Sequence, residues 1–277
     1  IIQILIMELS VIIPCLNEAE TLGTCIAKAK KQIQKLNIKA EIVISDNGST
    51  DKSVEIAEKL GARVIHSNIR GYGSAVINGI KNAKGKYILI ADADDSYNLD
   101  DIPTFFYKIK EGYDLIQGCR MPSGGGKIQK GAMPITHRLI GNPLFTFLSK
   151  KFFGLKFNDV YCGMKILKKS FFKNTNFFSK GMVFCLEILI KSKTLNGITT
   201  EVPITLYRDG RVKSKSHLRT ISDGLKTFKF ILVCCPKWLY FFPSFLFILF
   251  CPIFYFFSNK FITLADDQKI LVSLLLF

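Results

Sequence analysis

Three times within its first 95 residues the chain runs an apolar stretch without alternation into polar and acidic side chains. The stretches are "LSVIIPCLNE" at 9–18, "AEIVISDNGSTD" at 40–51 and "KYILIADADD" at 86–95. A strand that lacks polar alternation is covered on both faces, as in a parallel sheet flanked by helices. Ligands of open α/β sheets bind beyond the carboxyl ends of the strands. One pattern therefore constrains both the fold and the place where a site belongs.

The segments between these runs agree with that reading. Leu22, Ile26, Ala29, Ile33 and Leu36 recur at helical spacing, and Asn17 with Glu20 reads as a capping-box start. A helix from about Asp51 to Leu60 stops at Gly61, and a glycine-rich helix after Gly71 and Gly73 stops at Gly85. "ARVIHS" (62–67) and "YDLIQG" (113–118) add two strands, and Asp100–Glu111 adds a helix. Repeated βα units of this length predict an α/β, doubly wound, mostly parallel sheet. Gly71 and Gly73 follow the third strand and lack a third glycine, so a dinucleotide fingerprint is disfavoured.

The second half reads differently. Residues 134–153 are helical in period and rich in Leu and Phe. They read as core, with a membrane-surface helix as the alternative. A basic run follows, with Arg208, Arg211, Lys213, Lys215, Arg219, Lys226 and Lys229. It abuts "WLYFFPSFLFILFCPIFYFF" (238–257), which has no charge. At ~1.5 Å per residue that run is long enough for a bilayer core, and the basic flank would mark the cytosolic side. A second apolar run begins at about 269. The expected organisation is a catalytic domain over 1–230 and a membrane anchor over 231–277. A net charge of +16 beside 48% hydrophobic residues fits a globular domain attached to a membrane. The basic run lacks interleaved aromatic platforms, which argues against nucleic acid as a partner. Eight cysteines without a C-x-x-C pair read as reduced, buried thiols. "IIQILI" before Met7 is too short for a signal peptide, which leaves Ile1 or Met7 as the start and places the first domain in the cytosol.

The acidic group at 92–95 admits two readings. Asp92 and Asp94, two apart in an extended segment, would point the same way, with Asp95 turned elsewhere. Two such carboxylates repel unless a cation or proton lies between them, and Mg²⁺ takes one or two carboxylates plus phosphate oxygens. Asp is equally suited to a polar strand exit with helix caps.

Taken together, the strand ends resemble the family 2 inverting glycosyltransferases of GT-A fold. They look most like the dolichol-phosphate mannose synthase and bacterial polyprenyl-phosphate glycosyltransferase group. The resemblance spans about residues 8–230. It implies that Pro14, Asn17, Glu18, Asp46, Asn47, Gly71, Gly73, Asp92 and Ala93 line a nucleotide-sugar pocket. It implies that Asp92 and Asp94 hold Mg²⁺ or Mn²⁺, with Asp94 and Arg120 catalytic. Further motif matches fall at Gly118–Arg120, at Asp159, Cys162, Gly163, Met164 and Lys165, and at Glu201–Ile204. Arg120, Arg138, Arg208, Arg211 and Lys215 are the candidates for an acceptor phosphate, since Arg is the best fork for that group. The spacing around 208–215 departs from the family pattern.

The implied reaction moves a hexose from a UDP- or GDP-sugar to a polyprenyl phosphate, with inversion, at the cytosolic face of a membrane, a bacterial inner membrane being the expected one. A phosphate monoester with a second pKa of about 6 is already an oxyanion at neutral pH, so a strong base is not required. His66, His137 and His217 therefore read as structural or exposed. A glycan acceptor and a non-catalytic membrane scaffold are the rival readings. Homo-oligomerisation stays open.

Overall fold

The structure is a computed structural model and describes residues 7–212, 220–235 and 237–261. Lys213, Lys215, His217, Arg219, the residues before Met7 and the apolar run from 269 lie outside the described residues. The chain divides into two compact units, with the boundary between Thr227 and Phe228.

The elements of the first unit run in this order: β1 (Leu9–Cys15), α1 (Leu22–Leu36), β2 (Ala40–Asp46), α2 (Ser53–Lys59), β3 (Arg63–His66), α3 (Tyr72–Asn82), β4 (Tyr87–Ile90), α4 (Ile102–Lys110), β5 (Leu115–Cys119), β6 (Lys127–Ile128), α5 (Asn142–Phe153), β7 (Lys165–Lys168), α6 (Phe184–Thr194), β8 (Thr199–Pro203) and β9 (Thr205–Leu206). Helix α7 (Thr220–Cys234) crosses the boundary, and α8 (Phe242–Phe261) belongs to the second unit. Seven strands form one sheet in the order β3-β2-β1-β4-β7-β5-β8, and β6 pairs with β9.

The first four strands are parallel, as expected from their unbroken apolar runs. Alternate residues of β1 face opposite layers. Val11 and Ile13 join one core with Leu22 and Ile26 of α1 and Phe105 and Phe106 of α4. Ile12 faces the other layer, where α3 approaches it through Gly79. Four strands were not expected: β6, β8, β9 and, inside the main sheet, β7. β7 lies between β4 and β5 and runs antiparallel to both. It is only four residues long and begins with a fully buried lysine, Lys165, so no apolar run announces it.

Two helices depart from expectation. Helix α1 starts at Leu22 and its N-cap is Thr21, so Asn17 and Glu20 form no capping box. Asn17 takes a left-handed conformation and is committed to the site. The 134–153 segment is a π-helical turn over His137–Gly141 leading into α5. It is not core. Its buried positions are polar (Asn142, Thr146 and Ser149), while Ile135, Leu139, Ile140, Leu144 and Phe147 are exposed. The helix is inside-out for a protein in water.

The uncharged run over 238–257 does not form one uninterrupted helix from Trp238. Lys237–Phe241 is a π-helical turn, and α8 begins at Phe242. Pro243, with no N–H and a fixed φ, suits the first turn of a helix and starts a new one there. Among the described residues, no helix is long and apolar enough to cross a membrane. α8 exposes Phe245, Ile248, Phe250 and Ile253.

The two kinds of phenylalanine predict opposite outcomes. Phe106→Ala should lower stability by about 3–5 kcal/mol through the cavity it leaves. Phe147→Ser should change it by no more than about 0.5 kcal/mol. Chemical denaturation followed by circular dichroism measures both, and comparable losses would mean that the α5 face is packed.

Candidate active site

The loops after β1 and β2 are laced together. Asn17 donates its amide to Ser49 Oγ at 2.9 Å, and its side-chain oxygen accepts from the amide of Thr50 at 2.7 Å. The Glu18 amide donates to Ser53 Oγ at 2.8 Å, and the Ala19 amide to Asp51 Oδ2 at 3.0 Å. Serine, threonine and aspartate bond readily to nearby backbone in this way, which is why "NGSTD" can hold a second loop in place. Pro14 lies within β1, opposite Ser45, and is buried.

Asp46 closes its own turn, accepting from the amides of Ser49 at 3.0 Å and Gly48 at 3.2 Å and lying 3.2 Å from His66 Nδ1. Burial works to raise its pKa, but bonds from Ser49, His66 and Gly48 outweigh it and hold the carboxylate below its ordinary range. Asn47 reaches across to the next loop, donating to the Ile69 carbonyl at 2.8 Å and accepting from the Gly71 amide at 2.6 Å.

Gly71 and Gly73 meet the backbone of a distant loop. A Cβ on Gly71 would stand 2.2 Å from the Lys180 carbonyl oxygen, and one on Gly73 would stand 2.2 Å from that of Ser179. These glycines admit the 179–181 loop against the start of α3, where the Ser74 amide donates to the Lys180 carbonyl at 3.0 Å. Glu187 of α6 anchors that loop by accepting from the amides of Phe178 at 2.9 Å and Ser179 at 2.8 Å.

Strand pairing of β4 ends at Ile90, and the chain bends over Ala93–Asp95. The three aspartates then separate. Asp95, in a left-handed conformation, pairs with Lys28 at 2.7 Å. Asp94 Oδ1 accepts from the amide and hydroxyl of Ser96, and Asp94 Oδ2 faces Arg211 at 3.3 Å. Asp92 turns inward, and its Oδ1 is buried without a hydrogen-bond partner. Burial, and then the nearby Asp94, push the Asp92 carboxyl up to about 6. Ala93, also buried, accepts from Cys25 Sγ through its carbonyl at 3.4 Å.

An orphaned carboxylate oxygen beside a second carboxylate fits a hard divalent cation. Among the described residues no group of three or more His, Cys, Asp or Glu side chains is placed to hold a metal. The fit is thus to an ion that takes one or two protein carboxylates and fills its remaining positions from water or phosphate oxygens, as Mg²⁺ and Mn²⁺ do.

Arg120 and Arg211, both expected at an acceptor phosphate, make ion pairs within the chain. Arg120 makes a two-pronged pair with Asp159, Nε to Oδ2 at 2.7 Å and Nη2 to Oδ1 at 2.9 Å. Its Nη1 donates to the Tyr97 hydroxyl at 3.4 Å, and that oxygen also accepts from the Gly163 amide at 2.8 Å. Burial opposes the charge on Arg120, but Asp159 more than restores it. Lys165 donates to the carbonyls of Cys162 and Gly163 at 2.6 and 3.0 Å. Arg120, Asp159, Gly163 and Lys165 thus form the wall behind Asp92, where a Cβ on Gly163 would stand 2.4 Å from Asp92 Oδ2.

Arg211 lies against the acidic cluster, bonded to Glu18 Oε1 at 2.9 Å, to Asp94 and to Asp209. Burial is the main force raising the Glu18 pKa to about 7; Arg211 pulls it down while Asp94, Asp209 and Asp92 push it up. Arg208 is exposed and donates from Nε to the Lys130 carbonyl at 2.7 Å. Arg138 is exposed on the π-helical turn. Sequence reasoning gave Asp209, Glu20 and Tyr97 no role at the site. "RDGR" read only as part of a basic run, and nothing in it indicated that it folds onto the loop after β4.

Comparison with known proteins follows the same lines. The profile of Glycosyl transferase family 2 matches residues 10–175. The chain is 32% identical over 239 residues to the low-salt glycan biosynthesis hexosyltransferase Agl6 of Haloferax volcanii, covering 86% of this chain and 56% of that protein. It is 29% identical over 228 residues to a dolichyl-phosphate hexose transferase of the same organism, covering 82% and 94%. It is 31% identical over 228 residues to the dolichol-phosphate mannosyltransferase of Pyrococcus furiosus, covering 79% and 62%. Among solved structures, the glucosyl-3-phosphoglycerate synthase of Mycobacterium tuberculosis in complex with Mn²⁺, UDP-glucose and phosphoglyceric acid superposes with a TM-score of 0.63. At 19% identity over 83% of this chain and 80% of that one, this likeness speaks for a shared GT-A fold.

The Glu187 anchor predicts an acid limit to the loop. Burial works to raise its pKa, but Lys191 and the amides of Phe178 and Ser179 hold it below the ordinary 4.5. A carboxyl depressed on folding contributes its full stabilisation above the unfolded value, and that contribution fades as pH falls through the folded one. Hydrogen-exchange protection at Phe178 and Ser179 should therefore be constant from neutral pH down to about the ordinary carboxyl value and decline below it. In Glu187→Gln that acid-dependent decline should be absent.

Proposed function

The chain belongs to glycosyl transferase family 2, and from that membership we propose that it transfers a hexose from a nucleotide-sugar to a polyprenyl phosphate at the cytosolic surface of a membrane, with inversion and with a divalent metal. The observation that carries the reading is the pair Asp92 and Asp94 just past the end of β4, one oxygen of it buried and unpartnered. The names of the Haloferax and Pyrococcus relatives support a dolichyl-type phosphate as acceptor. The chain spans about half of the Agl6 relative and under two thirds of the Pyrococcus one, so the whole reaction is a proposal.

Departure of a nucleoside diphosphate builds negative charge on its phosphates. Asp92 and Asp94 would hold a divalent ion, which would supply Lewis-acid stabilisation of that charge. The laced loops after β1 and β2 give the donor a rigid floor, and Asp46 and Asn47 are locked in place at its edge. The acceptor phosphate needs no strong base, since it is an oxyanion near neutral pH. It needs cations, and Arg138 and Arg208 are exposed guanidinium groups among the described residues. Arg120, paired with Asp159, serves instead to keep the wall behind Asp92 charged and rigid.

The inside-out face of α5 supports the membrane part of the reading. Leu139, Ile140, Leu144 and Phe147 are exposed beside Arg138, Lys150 and Lys151. An apolar face flanked by cations suits an anionic lipid surface, to which each nearby basic residue adds about 1 kcal/mol. An acceptor that stays in the bilayer would then meet the catalytic unit at the level of its headgroup.

Membranes carrying the protein, incubated with a panel of nucleotide sugars and a polyprenyl phosphate, should yield a hexosyl-phospholipid detectable by mass. Sugar found on a soluble glycan and not on lipid would overturn the acceptor. Asp94→Asn should lower transfer by about 100-fold or more, with the folded state retained by circular dichroism. Leu139→Asp combined with Phe147→Asp should weaken binding of the catalytic unit to anionic vesicles without loss of stability; unchanged vesicle binding would remove α5 from the membrane contact.

A further inference from the structure

The segment Tyr207–Val212 lies across the acidic edge of the sheet as a strap. The Tyr207 amide donates to the Ser96 carbonyl at 2.9 Å and the Gly210 amide to the Asp94 carbonyl at 2.9 Å. The Val212 amide donates to Glu20 Oε2 at 2.8 Å. Gly210 comes so near that a Cβ there would stand 3.2 Å from Thr21 Cγ2 and 3.4 Å from the Asp94 carbonyl oxygen. Between these anchors the Arg211 side chain, only 5% exposed, turns into the cluster. Its Nη2 contacts both Asp94 and Asp209, and its Nη1 contacts Glu18. A long cationic side chain is seldom buried unless its charge is matched. Here three carboxylates match it, and one of them is Asp94.

We infer that Arg211 and a divalent metal are alternative cations at Asp94, so that metal loading and release of the Tyr207–Val212 strap are one competitive equilibrium. This rests on the reading that Asp94 holds a metal. The physical basis is that Asp94 Oδ2 faces either the guanidinium or a metal ion. Like charges repel, and two cations sharing one carboxylate oxygen on a half-buried edge disfavour each other. Glu18, Asp94 and Asp209 would be left crowded and unbalanced if Arg211 departed alone. The exchange of one cation for another keeps a positive charge beside them throughout. Arg211 is on this account a positioning residue: it sets the affinity of the site for metal and holds the strap shut until metal arrives.

Two measurements on the full chain test this. The first is Mn²⁺ affinity without nucleotide, read from the free-ion electron paramagnetic resonance signal, for the wild type, Arg211→Gln and Arg211→Lys. Removal of the competitor should tighten Mn²⁺ binding by about tenfold in Arg211→Gln, with Arg211→Lys nearer the wild type. The second is tryptic cleavage after Arg211, which should be slow in the wild type and should accelerate as Mn²⁺ is added. Equal or weaker Mn²⁺ binding in Arg211→Gln would overturn the inference while leaving a metal enzyme. Absence of Mn²⁺ binding in all three proteins, with metal-independent transfer, would overturn the metal reading and this inference with it.

Discussion

The parallel pairing of β2, β1 and β4 is the constraint on which the site depends. Cys15 is level with Asp46, and Ile12 is level with Ile90. That register brings the loop after each strand to a common edge. A slip of one residue in any of the three would turn its apolar set out of its layer, so burial of Val11, Ile13, Ile44 and Leu89 fixes where the carboxylates emerge. The core places the chemistry, and the polar loops then secure it. Ser49, Thr50, Asp51 and Ser53 spend their hydrogen bonds on the loop after β1.

Charge is distributed over this edge in two tiers. The inner tier is permanent. Asp159 and Arg120 neutralise each other in the wall, and Lys165 is satisfied by two carbonyls. Breaking a buried pair of this kind leaves an uncompensated charge, so it works as scaffold. The outer tier is exchangeable. Glu18, Asp94 and Asp209 share one guanidinium, which arrives on a surface strap and not on a core strand. In the proposed reaction the site accepts an ion and a diphosphate and later releases the product, which a counter-charge on a segment able to leave would serve. A locked arginine just past β5 and a second one on the strap fit that division.

The α5 face adds a third element. In a water-soluble helix, Asn142, Thr146 and Ser149 would belong outside and Leu139, Ile140 and Phe147 inside. Here the order is reversed, although the helix is part of the catalytic unit. This exposed apolar face with cations beside it is the feature on which the proposed membrane contact rests.

Much of this was legible in the sequence. Unalternating runs that end in "CLNE", "SDNGSTD" and "ADADD" determine a parallel sheet with a polar edge, because strands buried on both faces leave polar groups only at their ends. Asp95 was expected to turn away from Asp92 and Asp94, and it pairs with Lys28. What remained illegible depends on partners distant in sequence. β7 is short and opens on a lysine, so only its two neighbours in the sheet make it a strand. The resemblance implied only that the glycines at 71 and 73 line a pocket, and nothing local in sequence indicated that the 179–181 backbone packs against them. Periodicity showed that 134–153 is a helix but not which face is buried, since the amphipathic pattern is the same for a core and for a membrane. Nor did composition separate Arg120 from Arg211. Both are arginines that follow strands, and only the tertiary structure decides that one meets a fully buried carboxylate on its own sheet and the other reaches, across more than a hundred residues of chain, to Glu18 and Asp94. Local sequence sets which groups are available, while the electrostatic partner of a buried charge is set by what the fold brings within a few ångströms of it.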